Sequence, residues 1–339
     1  MALSDLYASI IVTAYKPRPF IVSALESVMK QDTNNYEVIL VTNYVDQWLM
    51  DYAHEKQIKI IHSEHSSQGS KIIEGFNASK GEIILLLEDD DLFSPSKVSE
   101  VVKTFEGNKD LYFYNNTSIF IDDTGTEIQP PHGLRKRIDN IERIKSFCLK
   151  RTITDTGKKW DKVGLTGNLS AISVRKELIK ENRETINESP LGMDVILYLL
   201  AVLSNRCVLI DNRRLSSFRF HDKNSSLDSN VDEEIRVDYL QHMLSVTLEA
   251  NRIALDIAKM TGIRCLMRPR ANFYYLSLII YETFKGNMSR GRTMGALLHY
   301  IGESPLRMLL IRPDVLFYAI VHVIFPAWAK LAFLKRHGH

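Results

Sequence analysis

The chain has 339 residues, of which 45% are hydrophobic and 25% are charged, and its formal net charge is +2. This is the composition of an ordinary globular protein. It excludes a largely disordered chain and leaves room for one large domain and a smaller appendage. The N-terminal residues contain neither a basic segment nor a long apolar core, so the sequence predicts no secretory signal and a cytoplasmic protein.

The small net charge hides an uneven distribution. Residues 251–339 carry 13 Lys and Arg against 4 Asp and Glu, whereas the preceding 250 residues carry 30 against 37. Basic segments bind nucleic acid, anionic lipid or acidic protein surfaces, and the residues that accompany the charges decide between them. Those residues are aliphatic and aromatic here, which favours an anionic membrane surface and no nucleic acid.

The three cysteines, Cys148, Cys207 and Cys265, are widely spaced and odd in number. This pattern fits neither a disulfide framework nor a zinc site. We expect three buried thiols.

The first third of the chain alternates between strand and helix patterns. Short β-branched and aliphatic runs predict strands at residues 9–13, 37–41, 59–62 and 83–87. The segments between them predict helices over residues 21–29, 46–56 and 70–79. This alternation predicts βαβ units, and hence an α/β fold with a mainly parallel sheet and helices on both faces. The chain contains neither a G-x-G-x-x-G sequence after the first strand nor a P-loop, which disfavours both of those nucleotide-binding folds.

The fourth predicted strand ends in four consecutive carboxylates, Glu88, Asp89, Asp90 and Asp91. Ligands of parallel sheets bind beyond the carboxyl ends of the strands, so these side chains lie at the mouth of a predicted site. Mg²⁺ and Mn²⁺ prefer oxygen ligands and often combine one or two carboxylates with water and substrate phosphate. The residues alone leave two interpretations open: a metal and diphosphate site, or a solvated acidic turn before the helix that begins near Pro95.

Three segments occur in a particular order along the chain. They are residues 9–15 (S-I-I-V-T-A-Y), residues 68–82 (Q-G-S-K-I-I-E-G-F-N-A-S-K-G-E) and residues 87–91 (L-E-D-D-D), with Pro95 four residues later. Their order and spacing resemble the family 2 glycosyltransferases of GT-A fold, over roughly residues 7–225. The resemblance implies a GT-A type, Rossmann-like and mainly parallel sheet with flanking helices, and an inverting, metal-dependent enzyme.

The resemblance also implies roles for residues near the ends of the first two strands. It places Thr13, Ala14, Tyr15 and Asn43 at the nucleobase and ribose of a nucleotide-sugar donor, with Lys71 directed towards the same base or ribose. The family usually has aspartate where this chain has Asn43. Because an amide both donates and accepts, the identity of the base stays open.

The acidic residues and one later histidine are assigned by the same resemblance. Glu88 and Asp90 take the two acidic positions of the family's Asp-x-Asp motif, and Glu88 and Asp89 would face the donor. The implied ligands of Mn²⁺ or Mg²⁺ are Asp90, Glu88, Asp91 and His221.

Asp194 begins a long apolar helix and corresponds to the family's catalytic base. An aspartate in the first turn of a helix is stabilised by the helix dipole whatever its function, so a capping role is the alternative. The resemblance favours the base.

The predicted domain boundaries follow from the extent of the resemblance. Residues 1–228 form the catalytic domain, with a nucleotide-sugar half up to about residue 125 and an acceptor half from about residue 126. Residues 229–339 form a helical C-terminal region that is basic and apolar.

Residues 315–334 are almost continuously apolar but contain Pro326. A membrane-spanning helix needs about 20 apolar residues, so the length is marginal. An aromatic and apolar stripe flanked by Arg and Lys favours a helix that lies on an anionic bilayer. A helix packed on the catalytic domain and a membrane span are the alternatives.

The sequence therefore predicts a glycosyltransferase that is peripheral at the inner face of the cell membrane. The donor would be a nucleotide-diphosphate sugar and the acceptor a glycan or a polyprenyl-linked molecule. Two alternatives remain. A sugar nucleotidyltransferase would need a glycine-rich basic loop after the first strand, and a non-catalytic membrane-binding scaffold would keep the fold without the metal.

Overall fold

The computed structural model describes residues 7–15, 19–129, 147–149, 168–189, 192–204 and 206–221, and residues 291, 294, 295 and 298. The chain divides into two compact units, residues 1–220 and 221–339. The domain boundaries predicted near residues 125 and 228 stay predictions.

The strands of the first unit are β1 (Ala8–Ala14), β2 (Tyr36–Thr42), β3 (Lys59–His62), β4 (Ile83–Glu88), β5 (Leu92–Phe93), β6 (Leu111–Ile121), β7 (Glu127–Ile128), β8 (Phe147–Leu149), β9 (Ile172–Arg175) and β10 (Cys207–Arg219). The helices are α1 (Ile21–Met29), α2 (Gln47–Glu55), α3 (Gln68–Ala78), α4 (Lys97–Gly107), α5 (Lys176–Glu181), α6 (Arg183–Glu188) and α7 (Met193–Leu203), and a short 3₁₀ turn spans Leu169–Ala171. The alternation predicted for the first third of the chain is confirmed.

These strands form one mixed sheet in the order β3-β2-β1-β4-β9-β6-β10-β5, with β7 on β6 and β8 on β10. The block β3-β2-β1-β4 is parallel throughout, and β6 pairs with β10 in parallel. Strand β9 runs antiparallel to both of its neighbours and joins the two parallel blocks. The predicted α/β fold is therefore confirmed, with antiparallel strands in its second half.

Strands β1 and β4 are neighbours in the interior of the sheet and are buried along almost their whole length. Both consist mainly of aliphatic residues because helices cover both faces of the sheet there. The acidic residues begin only where β4 ends. The fold therefore exposes the carboxyl ends of four parallel strands at one edge, where the predicted site lies.

Cys207 is buried at the start of β10 and takes part in a disulfide. The expectation of three buried thiols is wrong for this residue, because wide spacing in sequence does not prevent two cysteines from meeting in the fold. Cys265 lies outside the described residues.

In the part of the chain that the structure describes, no helix has both the length and the apolar character needed to cross a membrane. The predicted C-terminal helix at residues 315–334 lies outside that part.

Candidate functional site

The carboxyl ends of β1, β2 and β4 meet at one edge of the sheet. Strand β1 is central, and its residue Thr13 lies opposite Val41 of β2 and Glu88 of β4. The next residue, Ala14, lies opposite Thr42. This register brings the residues predicted from the first, second and fourth strands to a single place.

Lys71, Tyr15 and Asn43 form the first group at this edge. The Lys71 ammonium lies 4.7 Å from the centroid of the Tyr15 ring and donates hydrogen bonds to the Asn43 side-chain oxygen and to the His65 carbonyl, the latter at 2.6 Å. Lys71 is fully buried, and burial lowers its pKa, although the charges of Glu74 and Asp89 oppose this shift. Three residues predicted to hold the nucleobase and ribose are therefore in contact.

The Asn43 amide is already engaged by the protein. Its nitrogen donates to the carbonyls of Ser63, at 2.5 Å, and His65, at 3.0 Å, while its oxygen accepts from Lys71. An amide nitrogen has two hydrogens to donate, so both are used. In this arrangement Asn43 holds Lys71 and the segment after β3 in place. The contribution of Ser63 and His65 was not predicted from the sequence.

Thr13 and Ala14 are buried at the end of β1, with 1% and 3% of their surface exposed. The Thr13 hydroxyl has no hydrogen-bond partner among the described residues. Their predicted contact with the nucleoside stays a prediction.

The four carboxylates form the second group, which we call the acidic turn, residues 88–91. The backbone N–H of Asp91 donates to the Glu88 carbonyl at 3.3 Å and closes the turn. Burial raises the pKa of Glu88 well above its usual range, and the charges of Asp91, Asp90, Asp89 and Asp194 raise it further. Burial and the charge of Asp90 raise the pKa of Asp91 to about 8, although Ser170, the Arg219 N–H and Asn168 oppose this shift.

Asp194 lies in the first turn of α7, which follows Gly192. Gly192 has a φ of +72°, a left-handed conformation that glycine adopts without steric cost. The charge of Asp194 contributes to the raised pKa of Glu88. The fold therefore brings Asp194 close to the acidic turn, although it lies 106 positions after Glu88 in the chain. Strongly shifted pKa values in a cluster of this kind are typical of functional sites.

Comparison with known proteins shows what the chain is similar to. Residues 9–165 match the model of Glycosyl transferase family 2. An uncharacterized glycosyltransferase of Haemophilus influenzae is 25% identical over 279 residues, which cover 79% of this chain and 88% of that protein. Together, the match over residues 9–165 and this relative support a glycosyltransferase of family 2.

Solved structures agree with this glycosyltransferase fold. A crystal structure of S. aureus TarS matches with a TM-score of 0.53 and 16% identity, over 93% of this chain and 53% of that one. A TarS crystal structure in complex with UDP-GlcNAc matches with a TM-score of 0.52 and 15% identity, over 94% of this chain and 91% of that one. The glycosyltransferase thus spans about half of the longer TarS chain, and the likeness concerns the fold alone.

Arg219 supports the acidic turn of the glycosyltransferase from β10. Its backbone N–H donates to the Asp91 carboxylate at 2.9 Å, and its Nε donates to the Asp90 carbonyl at 2.9 Å. The guanidinium also donates to the carbonyls of Asp122 and Asp123 and lies 4.5 Å from the centroid of the Phe20 ring. No role was predicted for Arg219 from the sequence.

Lys97 is a second supporting residue, and it was not predicted from the sequence. Its fully buried ammonium donates to Asn116 at 2.8 Å, to the Ser170 carbonyl at 2.6 Å and to the Ser216 hydroxyl at 2.8 Å. Burial lowers its pKa well below the usual range, while the charge of Asp91 opposes this. Its position one turn before Val101, on the apolar face of α4, was a signal that could have identified it.

Ser170 joins Lys97 to the acidic turn. Its hydroxyl accepts a hydrogen bond from the backbone N–H of Glu88 at 3.0 Å, and its carbonyl accepts from Lys97. His221 is 9% exposed and follows Arg219 by two residues. Its predicted role as a metal ligand stays a prediction.

The acidic turn suits a hard divalent cation in its chemistry. Its donors are carboxylate oxygens, and the raised pKa values of Glu88 and Asp91 reflect a concentration of negative charge that a cation would offset. Within the described ranges, no group of three or more His, Cys, Asp or Glu side chains is arranged to hold a metal ion. Mg²⁺ usually binds proteins through one or two carboxylates, with water and phosphate completing its shell, so the donor set fits an ion that arrives with a diphosphate.

Proposed function

We propose that this glycosyltransferase moves a sugar from a nucleotide-diphosphate sugar to an acceptor hydroxyl or a lipid phosphate, with inversion at the anomeric carbon. One observation carries the proposal. The Lys71, Tyr15 and Asn43 group, the acidic turn and Asp194 converge at one sheet edge. In this proposal the first group binds the nucleoside, the acidic turn faces the diphosphate, and Asp194 lies at the reacting sugar.

The donor is a uridine diphosphate sugar in this proposal. The support comes from TarS, whose structures were solved in complex with UDP-GlcNAc and with UDP. Lys71 offers a cationic donor beside the Tyr15 ring, an arrangement in which a base stacks on the ring while a keto oxygen accepts from the ammonium. A panel of nucleotide-sugar donors tests both the base and the sugar.

The reaction is a single displacement. The acceptor oxygen forms a bond to the anomeric carbon, the bond from that carbon to the diphosphate oxygen breaks, and the electron pair leaves with the nucleoside diphosphate. Asp194 accepts the proton of an attacking hydroxyl as general base. A phosphate acceptor is already ionised, and Asp194 then orients it.

Glu88 and Asp90 would hold a divalent cation, Mn²⁺ or Mg²⁺, together with the donor diphosphate. When bound there, the cation neutralises the charge that develops on the leaving diphosphate. Arg219 fixes the backbone of the acidic turn through the Asp90 carbonyl and the Asp91 carboxylate, so the carboxylates keep their positions.

The acceptor belongs to lipid-linked glycan assembly at the cytoplasmic face of the membrane in this proposal. Support comes from the nine excess positive charges among the aliphatic and aromatic residues of 251–339. Each Lys or Arg near an anionic surface contributes about 1 kcal/mol, which salt screens. The full chain should sediment with anionic vesicles and be released by salt, whereas equal sedimentation with neutral vesicles would exclude this part of the proposal.

The donor panel tests the activity itself. The full-length protein is incubated with UDP-, GDP-, CMP- and dTDP-linked sugars, with Mn²⁺ or with EDTA, and the nucleotide products are measured. We expect one nucleoside diphosphate to be released with Mn²⁺ and not with EDTA. A sugar nucleotidyltransferase would instead release the sugar phosphate when pyrophosphate is supplied, and a non-catalytic scaffold would release nothing under any condition.

A further inference from the structure

Gln68 is the first residue of α3, and its side chain lies between two parts of the site. Its Nε2 donates a hydrogen bond to the Glu88 carboxylate at 3.2 Å. Its Oε1 accepts from the backbone N–H of Met193, the first residue of α7, at 3.4 Å. Gln68 is 7% exposed, so a single buried amide connects the end of β4 to the start of the helix that carries Asp194.

The amide can make both contacts in one orientation only. A flipped side chain would place its N–H groups against the Met193 N–H, which is a repulsive contact, and would withdraw its donor from Glu88. Glu88 binds the amide nitrogen and the Met193 N–H binds the amide oxygen, so the two contacts together fix the orientation of the Gln68 side chain. That side chain in turn fixes the distance between Glu88 and Met193.

The rest of the first turn of α3 holds the chain that leads into α7. The Gly69 N–H donates to the Ser189 carbonyl at 3.1 Å, and the Ser70 hydroxyl donates to the Asn187 carbonyl at 3.2 Å. A Cβ atom on Gly69 would lie 1.8 Å from the Ile186 carbonyl oxygen, so only glycine permits this approach. The segment before Asp194 is thus fastened to the same turn that carries Gln68.

We propose that Gln68 is a positioning residue that sets the distance between Asp194 and the Glu88 end of the acidic turn. The inference rests on the proposed function, in which Asp194 takes the proton of the acceptor while the acidic turn faces the donor diphosphate. Proton transfer requires the base within hydrogen-bond reach of the attacking group, and a displacement of 1 Å reduces a rate by up to about a hundredfold.

A double-mutant cycle with Asp194→Asn tests the proposal. Release of UDP from UDP-GlcNAc with Mn²⁺ is measured for the full chain, for Gln68→Met, for Asp194→Asn and for the double variant. We expect Gln68→Met to lower kcat by about ten- to a hundredfold, with the KM for UDP-GlcNAc within about twofold. In the Asp194→Asn background the same substitution should change kcat by less than about twofold, because the group that Gln68 positions is already disabled.

Gln47→Met is the matched control. Gln47 is the first residue of α2, and its Nε2 donates to the Asp51 carboxylate at 2.8 Å on an exposed surface. It has the same residue type, helix position and kind of partner as Gln68, but it lies outside the site. We expect kcat and KM of Gln47→Met to match those of the unmodified chain.

Amide hydrogen exchange provides a readout that needs no activity. Gln68→Met removes the acceptor of the Met193 N–H, so the peptide that contains Met193 should exchange faster, and Gln47→Met should leave it unchanged. Gln68→Glu keeps an acceptor for Met193 but places a second carboxylate against Glu88. It should retain the slow exchange and still lose turnover.

The outcomes separate this proposal from the proposed function. Unchanged exchange at Met193 in Gln68→Met, or an equal loss of kcat in both backgrounds, would overturn the positioning role while the glycosyltransferase activity stands. An unmodified chain that releases nucleotide from no sugar donor would overturn the proposed function, and the exchange of Met193 would then decide the Gln68 link by itself.

Discussion

Two buried aspartates in the same unit have opposite surroundings. Asp211, 2% exposed, accepts hydrogen bonds from the Tyr114 hydroxyl at 2.8 Å and from Arg213 Nε at 2.6 Å. Asp91, 1% exposed, accepts from the backbone N–H of Arg219, and the like charge of Asp90 lies beside it. The Arg213 guanidinium balances the charge of Asp211. In contrast, burial and the charge of Asp90 raise the pKa of Asp91 to about 8.

The difference is the one expected between a structural carboxylate and a carboxylate that serves a binding site. An ion pair inside a protein satisfies both partners, and removal of either leaves an uncompensated charge. A buried acid with like-charged neighbours lowers the stability of the folded protein, and such an arrangement is typical of a site that binds a cation or a charged ligand. The nearby ammonium of Lys97 is directed at Asn116, Ser170 and Ser216 and holds the elements around the turn together.

Asp90→Ala should have the largest effect on activity. We expect transfer to fall by about a thousandfold or more, because a metal-held diphosphate contributes several kcal/mol to the transition state. The initial rate of nucleoside diphosphate release measures this, with Asp51→Ala, exposed on α2, as the control. Retention of full activity in Asp90→Ala would remove the functional role of the acidic turn.

Asp194→Asn should have the next largest effect. Asparagine keeps the geometry of a helix start but does not take a proton, so kcat should fall by about a hundredfold while donor affinity changes little. Steady-state kinetics with a hydroxyl acceptor measure both parameters. Turnover close to that of the unmodified enzyme would leave Asp194 only as an acid in the first turn of α7, where the helix dipole stabilises it.

Asp211→Asn and Asp91→Asn should change stability in opposite directions. Loss of the Arg213 ion pair should destabilise the ligand-free protein by about 2 kcal/mol. Loss of the charge at Asp91 should stabilise it at pH 8 by up to about 5 kcal/mol, the linkage free energy of a pKa raised from 3.8 to about 8. Thermal unfolding of the three proteins without metal gives the comparison, and a lower melting temperature for both variants would mean that Asp91 is structural as well.

The pH dependence of the free energy of unfolding should differ between the unmodified chain and Asp91→Asn. The folded pKa of Asp91 is about 8, above its usual value of 3.8, so the folded state binds more protons between these limits. Its contribution therefore makes the ligand-free protein less stable as pH rises from about 4 to about 8. Melting temperatures across this range should fall less steeply in Asp91→Asn, and an identical slope in the two proteins would contradict the assigned origin of the shift.

The sequence predicted the parts of the site that are continuous along the chain. The strand ends at Thr13 and Glu88 follow from local apolar runs, and the parallel register then brings them together. The place of β9 between β4 and β6 could not be predicted in this way, because it depends on long-range pairing that leaves no periodic signal. Gln68 was missed for a related reason, since both of its partners are distant in sequence.

Nucleotide binding by the acidic turn is the most direct test of the central claim. Thermal shifts are measured with a panel of nucleoside diphosphates and Mn²⁺ for the unmodified chain, for Asp51→Ala and for Asp90→Ala. A ligand at 100 times its Kd stabilises by about 2.7 kcal/mol, and we expect this stabilisation from UDP in the first two proteins and its loss in the third. Equal stabilisation of Asp90→Ala, or no stabilisation of the unmodified chain by any nucleoside diphosphate, would contradict a donor site at this edge of the sheet.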